Sequence, residues 1–250
     1  MSDVFFLTGV GRSGTTIFGR MLNMVEGVGC VHESGQLIRE ACTDKKDRNR
    51  LLFPQKIPNA LTHQILVQYP EKEKEHLKLV GIKVPHPDAF HDLMLHFPVL
   101  KVLGLVRHPL DIWLSQHNCE MKNTNPGWPS HISGFSDGKY KIQMIVNYFA
   151  LMDNIKRTKM IRYEDLISDP YVLVEVCKYL GISLDIELSE KILDSAAEDG
   201  GRPEGTIHLR KGCIEDTTRS MFPEMVKRYC SWIEGSPVLQ ALMSKYDYTL

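Results

Sequence analysis

The chain has 250 residues, with 30 Lys and Arg against 31 Asp and Glu, and its formal net charge is −1. This balance argues against bulk attraction to nucleic acid or to a membrane surface, although it allows a local basic site for one small polyanion. The six cysteines are scattered without a C-x-x-C pair, and no apolar run reaches membrane-spanning length. We therefore expect a cytoplasmic protein with a single domain over residues 1–250, no nucleic-acid partner and no membrane span.

The first predicted strand is an apolar run from Val4 that leads into the sequence GVGRSGTT at residues 9–16, here called the glycine loop. Apolar residues at helical spacing follow the loop and predict a helix. A strand, a glycine-rich turn and a helix form a cradle for phosphate, because glycines let several backbone N–H groups point at one anion and the helix dipole adds positive charge. The candidate binding residues of the loop are Gly11, Arg12, Ser13, Gly14, Thr15 and Thr16.

The glycine loop differs from the P-loop of ATP- and GTP-binding proteins at one informative position. A nucleoside-triphosphate P-loop has lysine directly after its second glycine, where the lysine reaches the β- and γ-phosphates. Here Thr15 occupies that position, and the cation lies inside the loop at Arg12. The loop therefore suits a nucleotide with one 5′-phosphate and one further anionic group better than a metal-bound triphosphate. A glycine-rich turn that binds nothing is the structural alternative.

Strands and helices alternate along the rest of the chain. Further strands are predicted at 28–33, 79–84, 99–106 and 158–163, and helices at 60–69, 88–97, 142–155, 171–180, 188–197, 222–233 and 238–243, with others that start near Gly35 and Pro109. Residues 119–139 are rich in Asn, Gly, Pro and Ser and predict a long loop, of a kind that is often functional. The alternation predicts an α/β protein with a three-layer, P-loop-like fold, in which helices cover both faces of a central parallel sheet of about five strands.

Charged residues stand at the ends of four predicted strands. These residues are Arg12, Glu33, Lys83 and Arg107. Because ligands of parallel sheets bind outside the carboxyl ends of the strands, we expect these side chains to form one site. Ser115 follows Arg107 by eight residues, so a guanidinium and a hydroxyl of the next helix can clamp one phosphate. A surface arginine and an unrelated helix serine are the structural alternative.

Two further motifs carry groups that suit a nucleotide. Leu209, Arg210, Lys211 and Gly212 combine two cations with a glycine, and such a segment can wrap a phosphate with charge and backbone N–H groups. The sequence IRYEDL at residues 161–166 places Tyr163 at the end of the last predicted strand. Alone, the segment 209–212 would be a solvated charge pair in most proteins. A half-buried strand tyrosine, with Glu164 and Asp165 capping a turn, explains the segment 161–166 nearly as well.

These motifs resemble, in the same order, those of sulfotransferases that use 3′-phosphoadenosine 5′-phosphosulfate (PAPS). The glycine loop resembles their 5′-phosphosulfate-binding loop. Its arginine stands in place of the more familiar lysine, and in this respect the loop is similar to that of the tyrosylprotein and carbohydrate branches of the family. The pair Arg107 and Ser115 and the segment 209–212 resemble the 3′-phosphate motifs, and Tyr163 resembles the tyrosine that contacts adenine. Ile17 departs from the cytosolic branch, where a tryptophan after the two threonines stacks on adenine. The resemblance implies PAPS as co-substrate and no metal.

The resemblance also implies in-line transfer of a sulfuryl group to a hydroxyl or amine, which needs a base and cations that stabilise developing charge. Arg12 would neutralise the leaving 5′-phosphate, and Lys83 would stabilise the transferred group. Glu33 resembles the base of the tyrosylprotein branch, whereas His86 resembles the histidine of the cytosolic branch but lies one residue later, after a proline. A glutamate base needs its pKa raised by burial, whereas a histidine needs little tuning, and both residues stay candidates.

Two other functions are compatible with the sequence. A P-loop kinase for a nucleotide or small molecule is one, and a non-catalytic nucleotide-binding module is the other. The segments 36–69 and 119–139 are expected to wall the acceptor pocket, and their apolar and aromatic residues favour a small organic acceptor over a highly charged glycan.

Overall fold

Five strands form the sheet at the centre of the fold. They are β1 (Asp3–Gly9), β2 (Val28–Val31), β3 (Leu79–Val84), β4 (Lys101–Val106) and β5 (Thr158–Arg162). All four neighbouring pairs are parallel, and the order across the sheet is β2-β3-β1-β4-β5. The structure is a computed structural model that describes residues 3–31, 57–69, 71–72, 74–84, 101–121, 138–198 and 219–248.

Helices connect and cover these strands. They are α1 (Thr15–Met24), α2 (Ile57–Gln68), α3 (Pro109–Met121), α4 (Gly138–Asp153), α5 (Tyr163–Leu166), α6 (Pro170–Leu180), α7 (Ile186–Glu198), α8 (Pro223–Glu234) and α9 (Pro237–Lys245), with a 3₁₀ turn at Lys74–His76. Proline begins four of them, a position where its missing N–H costs no helical hydrogen bond. Across the described ranges, no helix is both long enough and apolar enough to span a bilayer.

The central strand β1 shows why the sheet has helices on both faces. Phe5 and Leu7 belong to one buried cluster, and Phe6 between them belongs to another. Side chains alternate between the faces of a strand, so β1 is apolar on both faces, as in parallel sheets that are covered on both sides. Helices α1, α6 and α7 pack on the Phe5 face, and α2 packs on the Phe6 face. A third cluster joins α3, α4, α8 and α9. The predicted α/β fold with a parallel five-stranded sheet is confirmed.

Several element ends differ from the sequence predictions, among them the end of β5 and the helix ends that flank the predicted loop 119–139. Strand β5 ends at Arg162, because Tyr163 begins the short helix α5, whose first turn carries two acidic residues that favour a helix N-terminus. The predicted loop 119–139 is shorter at both ends, since α3 continues to Met121 and α4 begins at Gly138. No proline or glycine interrupts α3 before residue 121, and Gly138 leaves room for the Trp113 indole. The predicted helices near residue 35 and at 88–97 lie outside the described residues.

Asn23 fixes the edge strand β2 to helix α1. Its Nδ2 donates to the Cys30 carbonyl at 2.8 Å and to the Gly19 carbonyl at 3.0 Å, while its Oδ1 accepts from the Cys30 N–H at 2.8 Å. The side chain is buried, so these bonds satisfy backbone groups that water does not reach. The Asn23 amide thus ties the end of β2 to α1, in addition to the apolar packing between the two elements.

Replacement of Asn23 by alanine should lower the free energy of unfolding by about 2 kcal/mol, because it leaves both backbone groups of Cys30 without their partner. Urea denaturation at 25 °C measures the change. The matched control is Asn154→Ala, since Asn154 makes a single exposed side-chain hydrogen bond, to the Ala150 carbonyl, and its loss should cost less than about 0.5 kcal/mol. Equal effects of the two variants would contradict the role of Asn23.

Candidate active site

The glycine loop turns sharply between β1 and α1. The Ser13 N–H donates to the Val10 carbonyl at 2.9 Å, and Gly14 precedes α1 with a φ of +100°. A Cβ at Gly14 would lie 2.4 Å from the Tyr163 ring, so the approach of this ring also requires glycine. No side chain of the described residues caps the first turn of α1. Backbone N–H groups of that turn therefore stay available to an anion.

Arg12 is held in a strained conformation at the tip of the loop. Its φ of +77° lies in the left-handed region, which costs a non-glycine residue about 1 kcal/mol or more. Its Nε donates to Ser115 Oγ at 3.1 Å, and its carbonyl accepts from a terminal nitrogen of Arg107 at 3.2 Å. Such strain persists where surrounding contacts fix the backbone, and it concentrates at functional sites. The two hydrogen bonds join the glycine loop to helix α3, through Ser115, and to the β4–α3 connection, through Arg107.

Arg107 links the glycine loop to the end of β5. The residue is only 8% exposed, and its guanidinium carbon lies 4.7 Å from the centroid of the Tyr163 ring. This stacking is a cation–π contact, which gains strength where water is excluded. The Nε atom is buried and has no hydrogen-bond partner among the described residues. Arg107 therefore keeps a buried donor that a bound anion can satisfy.

Lys83 and Ser13 complete the polar lining of the loop. Lys83 is 2% exposed at the end of β3, and its Nζ donates to Thr16 Oγ1 at 2.9 Å. The Ser13 hydroxyl is buried and has no partner within the described parts of the chain. A buried hydroxyl without a partner costs free energy unless a ligand or water completes its hydrogen bonding. The loop thus presents a second buried polar group that suits an anionic ligand.

The electrostatic character of this cluster is positive. Arg12, Lys83 and Arg107 follow or end β1, β3 and β4, which are neighbours in the sheet. Cys30 lies nearby, but burial raises the pKa of its thiol to about 12 even though the charge of Lys83 opposes the shift. The thiol therefore stays protonated and is a poor nucleophile. The described residues contain no group of three or more side chains suited to hold a metal ion.

Several supporting residues were missed by the sequence analysis. Gln116 donates to the Gly11 carbonyl at 3.0 Å, and the Tyr148 hydroxyl hydrogen-bonds Thr8 at the end of β1. Glu164 accepts from the His108 N–H at 3.0 Å. Gln116 follows the predicted site residue Ser115 on α3, and this position could have indicated that it lies close to the glycine loop. Tyr148 gave none, because it lies 140 residues from Thr8 in sequence.

The structure brings together the predicted site residues that it describes. Hydrogen bonds or ring contacts connect Arg12, Arg107, Ser115 and Tyr163 with one another, and Lys83 contacts the same loop through Thr16. Asp111, four residues after Arg107, is paired with Arg219 at 3.1 Å and 3.3 Å. The remaining candidates lie outside the described residues; they are Glu33, His86, Leu209, Arg210, Lys211 and Gly212. Their place in the site stays a prediction.

Comparison with known protein families identifies the class of protein to which this sheet and glycine loop belong. The family model described as "Sulfotransferase family" matches residues 4–186. The chain therefore belongs to the sulfotransferase family, whose activity is sulfuryl transfer. A search of curated protein sequences finds no significant match.

Solved structures show the same fold at low sequence identity. A sulfotransferase domain from the curacin biosynthetic pathway is 19% identical, with coverage of 100% of this chain and 99% of that chain and a TM-score of 0.51. Mouse sulfotransferase SULT7A1 was solved in complex with PAP (3′-phosphoadenosine 5′-phosphate). It is 14% identical, with coverage of 97% of this chain and 88% of that chain and a TM-score of 0.52. At these identities, the likeness establishes the fold alone.

The steric requirement at Gly14 predicts the result of a glycine-to-alanine comparison. Gly14 and Gly181 have similar backbone conformations, with φ of +100° and +90°. An added Cβ would meet the Tyr163 ring at 2.4 Å at the first position and only Lys101 Nζ, at 3.6 Å, at the second. Gly181→Ala should cost about 1 kcal/mol of unfolding free energy from backbone strain alone, and Gly14→Ala about 1–3 kcal/mol more from the clash. Urea denaturation of both variants tests this, and equal losses would show that the ring is not in contact.

Proposed function

We propose that the protein transfers a sulfuryl group from PAPS to a hydroxyl or amine of a small organic acceptor. The observation that carries the proposal is the cluster of cations at the carboxyl ends of neighbouring strands, in which Arg107 contacts the backbone of Arg12 at 3.2 Å. Two buried polar atoms of this cluster, on Ser13 and Arg107, have no partner among the described residues. Membership of the sulfotransferase family supplies the class of reaction.

The residues of the cluster fit a nucleotide with phosphate groups at both ends. The glycine loop, with the uncapped first turn of α1, suits the 5′-phosphosulfate through backbone N–H groups and the Ser13 hydroxyl. Arg107, with its unpartnered Nε, and Ser115 suit the 3′-phosphate. Tyr163 suits the adenine as part of the stack with Arg107. The binding of PAP by mouse SULT7A1 is consistent with this choice of co-substrate.

The cations also suit the chemistry of transfer. PAPS, when bound, supplies an activated sulfuryl group attached to its 5′-phosphate. Arg12 would neutralise charge on the departing phosphate, and Lys83, held by Thr16, would stabilise charge on the moving group. Because Lys83 is buried, its charge acts in a medium of low dielectric, where it is worth more than in water. Removal of the acceptor proton requires a base, for which Glu33 and His86 are the candidates.

Two other functions predict different results in the same assays. A P-loop kinase would turn over ATP in a magnesium-dependent reaction, and Thr15 in the lysine position argues against it. A non-catalytic module would bind 3′-phosphoadenosine 5′-phosphate (PAP) but transfer nothing from PAPS to any acceptor. Turnover of labelled PAPS with a panel of hydroxylated and aminated small molecules tests the proposed function, and a complete absence of labelled product with every acceptor would contradict it.

Arg107→Ala should weaken PAP binding by about 10- to 100-fold, because it removes a charge-assisted contact worth roughly 1.5–3 kcal/mol. The affinity for adenosine 5′-phosphate, which lacks the 3′-phosphate, should fall by less than about fivefold through the lost bond to the Arg12 carbonyl. Isothermal titration calorimetry with both nucleotides measures the two effects. Arg228→Ala, at an exposed position on α8, is the matched control and should change neither. Equal weakening of both nucleotides would refute the 3′-phosphate assignment.

Glu33→Gln should lower kcat by about 10²- to 10⁴-fold, the usual contribution of a general base, while PAP affinity stays within about twofold. His86→Asn, measured beside it, should keep most of its turnover. The reverse pattern would assign the base to His86. Loss of PAP binding in Glu33→Gln would instead indicate a structural role for the carboxylate.

A further inference from the structure

The last described residues of the chain return to the candidate active site. Helix α9 ends in a closed turn, in which the Asp247 N–H donates to the Ser244 carbonyl at 3.1 Å and the Tyr248 N–H donates to the Met243 carbonyl at 2.9 Å. Asp247 has a φ of +59°, and this pair of bonds with a left-handed residue is a Schellman motif. The turn reverses the chain after α9 and directs Tyr248 back against the sheet.

Tyr248 is packed between elements that carry site residues. Its ring lies 5.1 Å from the His108 ring in an edge-on contact, and the Arg162 guanidinium lies 5.0 Å from its centroid. The hydroxyl donates to Glu164 Oε2 at 3.0 Å. Burial and the neighbouring carboxylate of Glu164 raise the pKa of Tyr248 well above its usual range. The hydroxyl therefore stays protonated and keeps its role as a donor.

Glu164 uses its second oxygen to hold the strand end that carries Arg107. Its Oε1 accepts from the His108 N–H at 3.0 Å. His108 follows Arg107 in the chain, and Glu164 follows Tyr163. The carboxylate thus joins the two backbones directly beside the stacked pair of Arg107 and Tyr163, whose separation is 4.7 Å.

We propose that Tyr248 and Glu164 are positioning residues, which hold Arg107 against Tyr163 and thereby set the preference of the site for a nucleotide with a 3′-phosphate. This inference rests on the proposed function, because it concerns the same nucleotide site. Neither residue is assigned a contact with the nucleotide. A carboxylate with both oxygens engaged has little freedom to rotate, so the loss of one bond loosens the other. A loosened His108 backbone lets the Arg107 guanidinium leave the place where a 3′-phosphate would be bound.

The chain offers a matched pair of tyrosines for the test. Tyr246 is buried to nearly the same degree as Tyr248, at 8% against 7% exposure. Its hydroxyl has no hydrogen-bond partner among the described residues, whereas that of Tyr248 binds Glu164. Both Tyr→Phe changes keep the ring and remove one oxygen. They differ in the loss of the hydrogen bond to Glu164.

Tyr248→Phe should weaken PAP binding by about three- to tenfold, less than the loss of a direct hydrogen bond to a charged group because the bond acts on the nucleotide only through Arg107. The affinity for adenosine 5′-phosphate should stay within about twofold. Tyr246→Phe should change neither affinity. Isothermal titration calorimetry with both nucleotides gives the ratio of affinities, which a general loss of stability would not alter. Tyr248→Phe binding that matches Tyr246→Phe, or that falls equally for both nucleotides, would overturn the proposal.

Variants of Glu164 provide a second test at the other end of the contact. Glu164→Gln keeps an oxygen that can accept from the His108 N–H, so PAP affinity should fall by less than about threefold. Glu164→Ala removes both bonds and should reduce the preference for PAP over adenosine 5′-phosphate by about tenfold or more. Equal preferences in the two variants would contradict the positioning role.

The parent protein separates the two proposals. A parent that shows no preference for PAP over adenosine 5′-phosphate would refute the proposed nucleotide site and the positioning role with it. A parent that prefers PAP, together with unaltered preference in Tyr248→Phe, would refute only the positioning role.

Discussion

The hydrogen bond from Arg107 to the Arg12 carbonyl is the contact on which the candidate site depends. It connects the end of β4 to the glycine loop after β1, and the same guanidinium stacks on Tyr163 after β5. Three strand ends are thus joined through one side chain. Arginine suits this role because its planar guanidinium can donate hydrogen bonds at its edge while its face stacks on an aromatic ring. The strained backbone of Arg12 is compatible with the fold because these contacts hold it in place.

Burial of charged side chains costs desolvation free energy, which this fold offsets in different ways. Lys83 is buried near the carboxyl end of β3, and its Nζ donates to the Thr16 hydroxyl on α1. Asp111 is also buried, and its two carboxylate oxygens accept from Nε and a terminal nitrogen of Arg219. A paired buried charge is tolerated, whereas a buried charge that faces a pocket is retained for what it binds. Arg107 resembles the second kind, because its buried Nε has no hydrogen-bond partner among the described residues and suits an anion.

The sequence predicts the fold well because its signals are local. The apolar run of β1 and the glycine loop after it indicate one strand–turn–helix unit. Five apolar runs that alternate with helical patterns indicate a parallel sheet. Tyr163 shows the limit of local signals, since it begins α5 instead of ending β5. There it contacts Arg107, and the neighbouring Glu164 accepts from the His108 N–H. Tyr248 could not be foreseen at all, because its partner Glu164 is 84 residues away. The bond depends on how α9 packs, which no periodicity records.

The order of strands in the sheet differs from their order in the chain, and this has a consequence for the shape of whatever the site binds. Lys83, Arg12, Arg107 and Tyr163 follow or end β3, β1, β4 and β5, four strands that lie side by side. Neighbouring strands are about 4.8 Å apart, so the row of groups is about 14 Å long. A molecule that touches all of them must be elongated and must lie across the strands rather than along them. A compact anion, whatever its charge, would reach only part of the row.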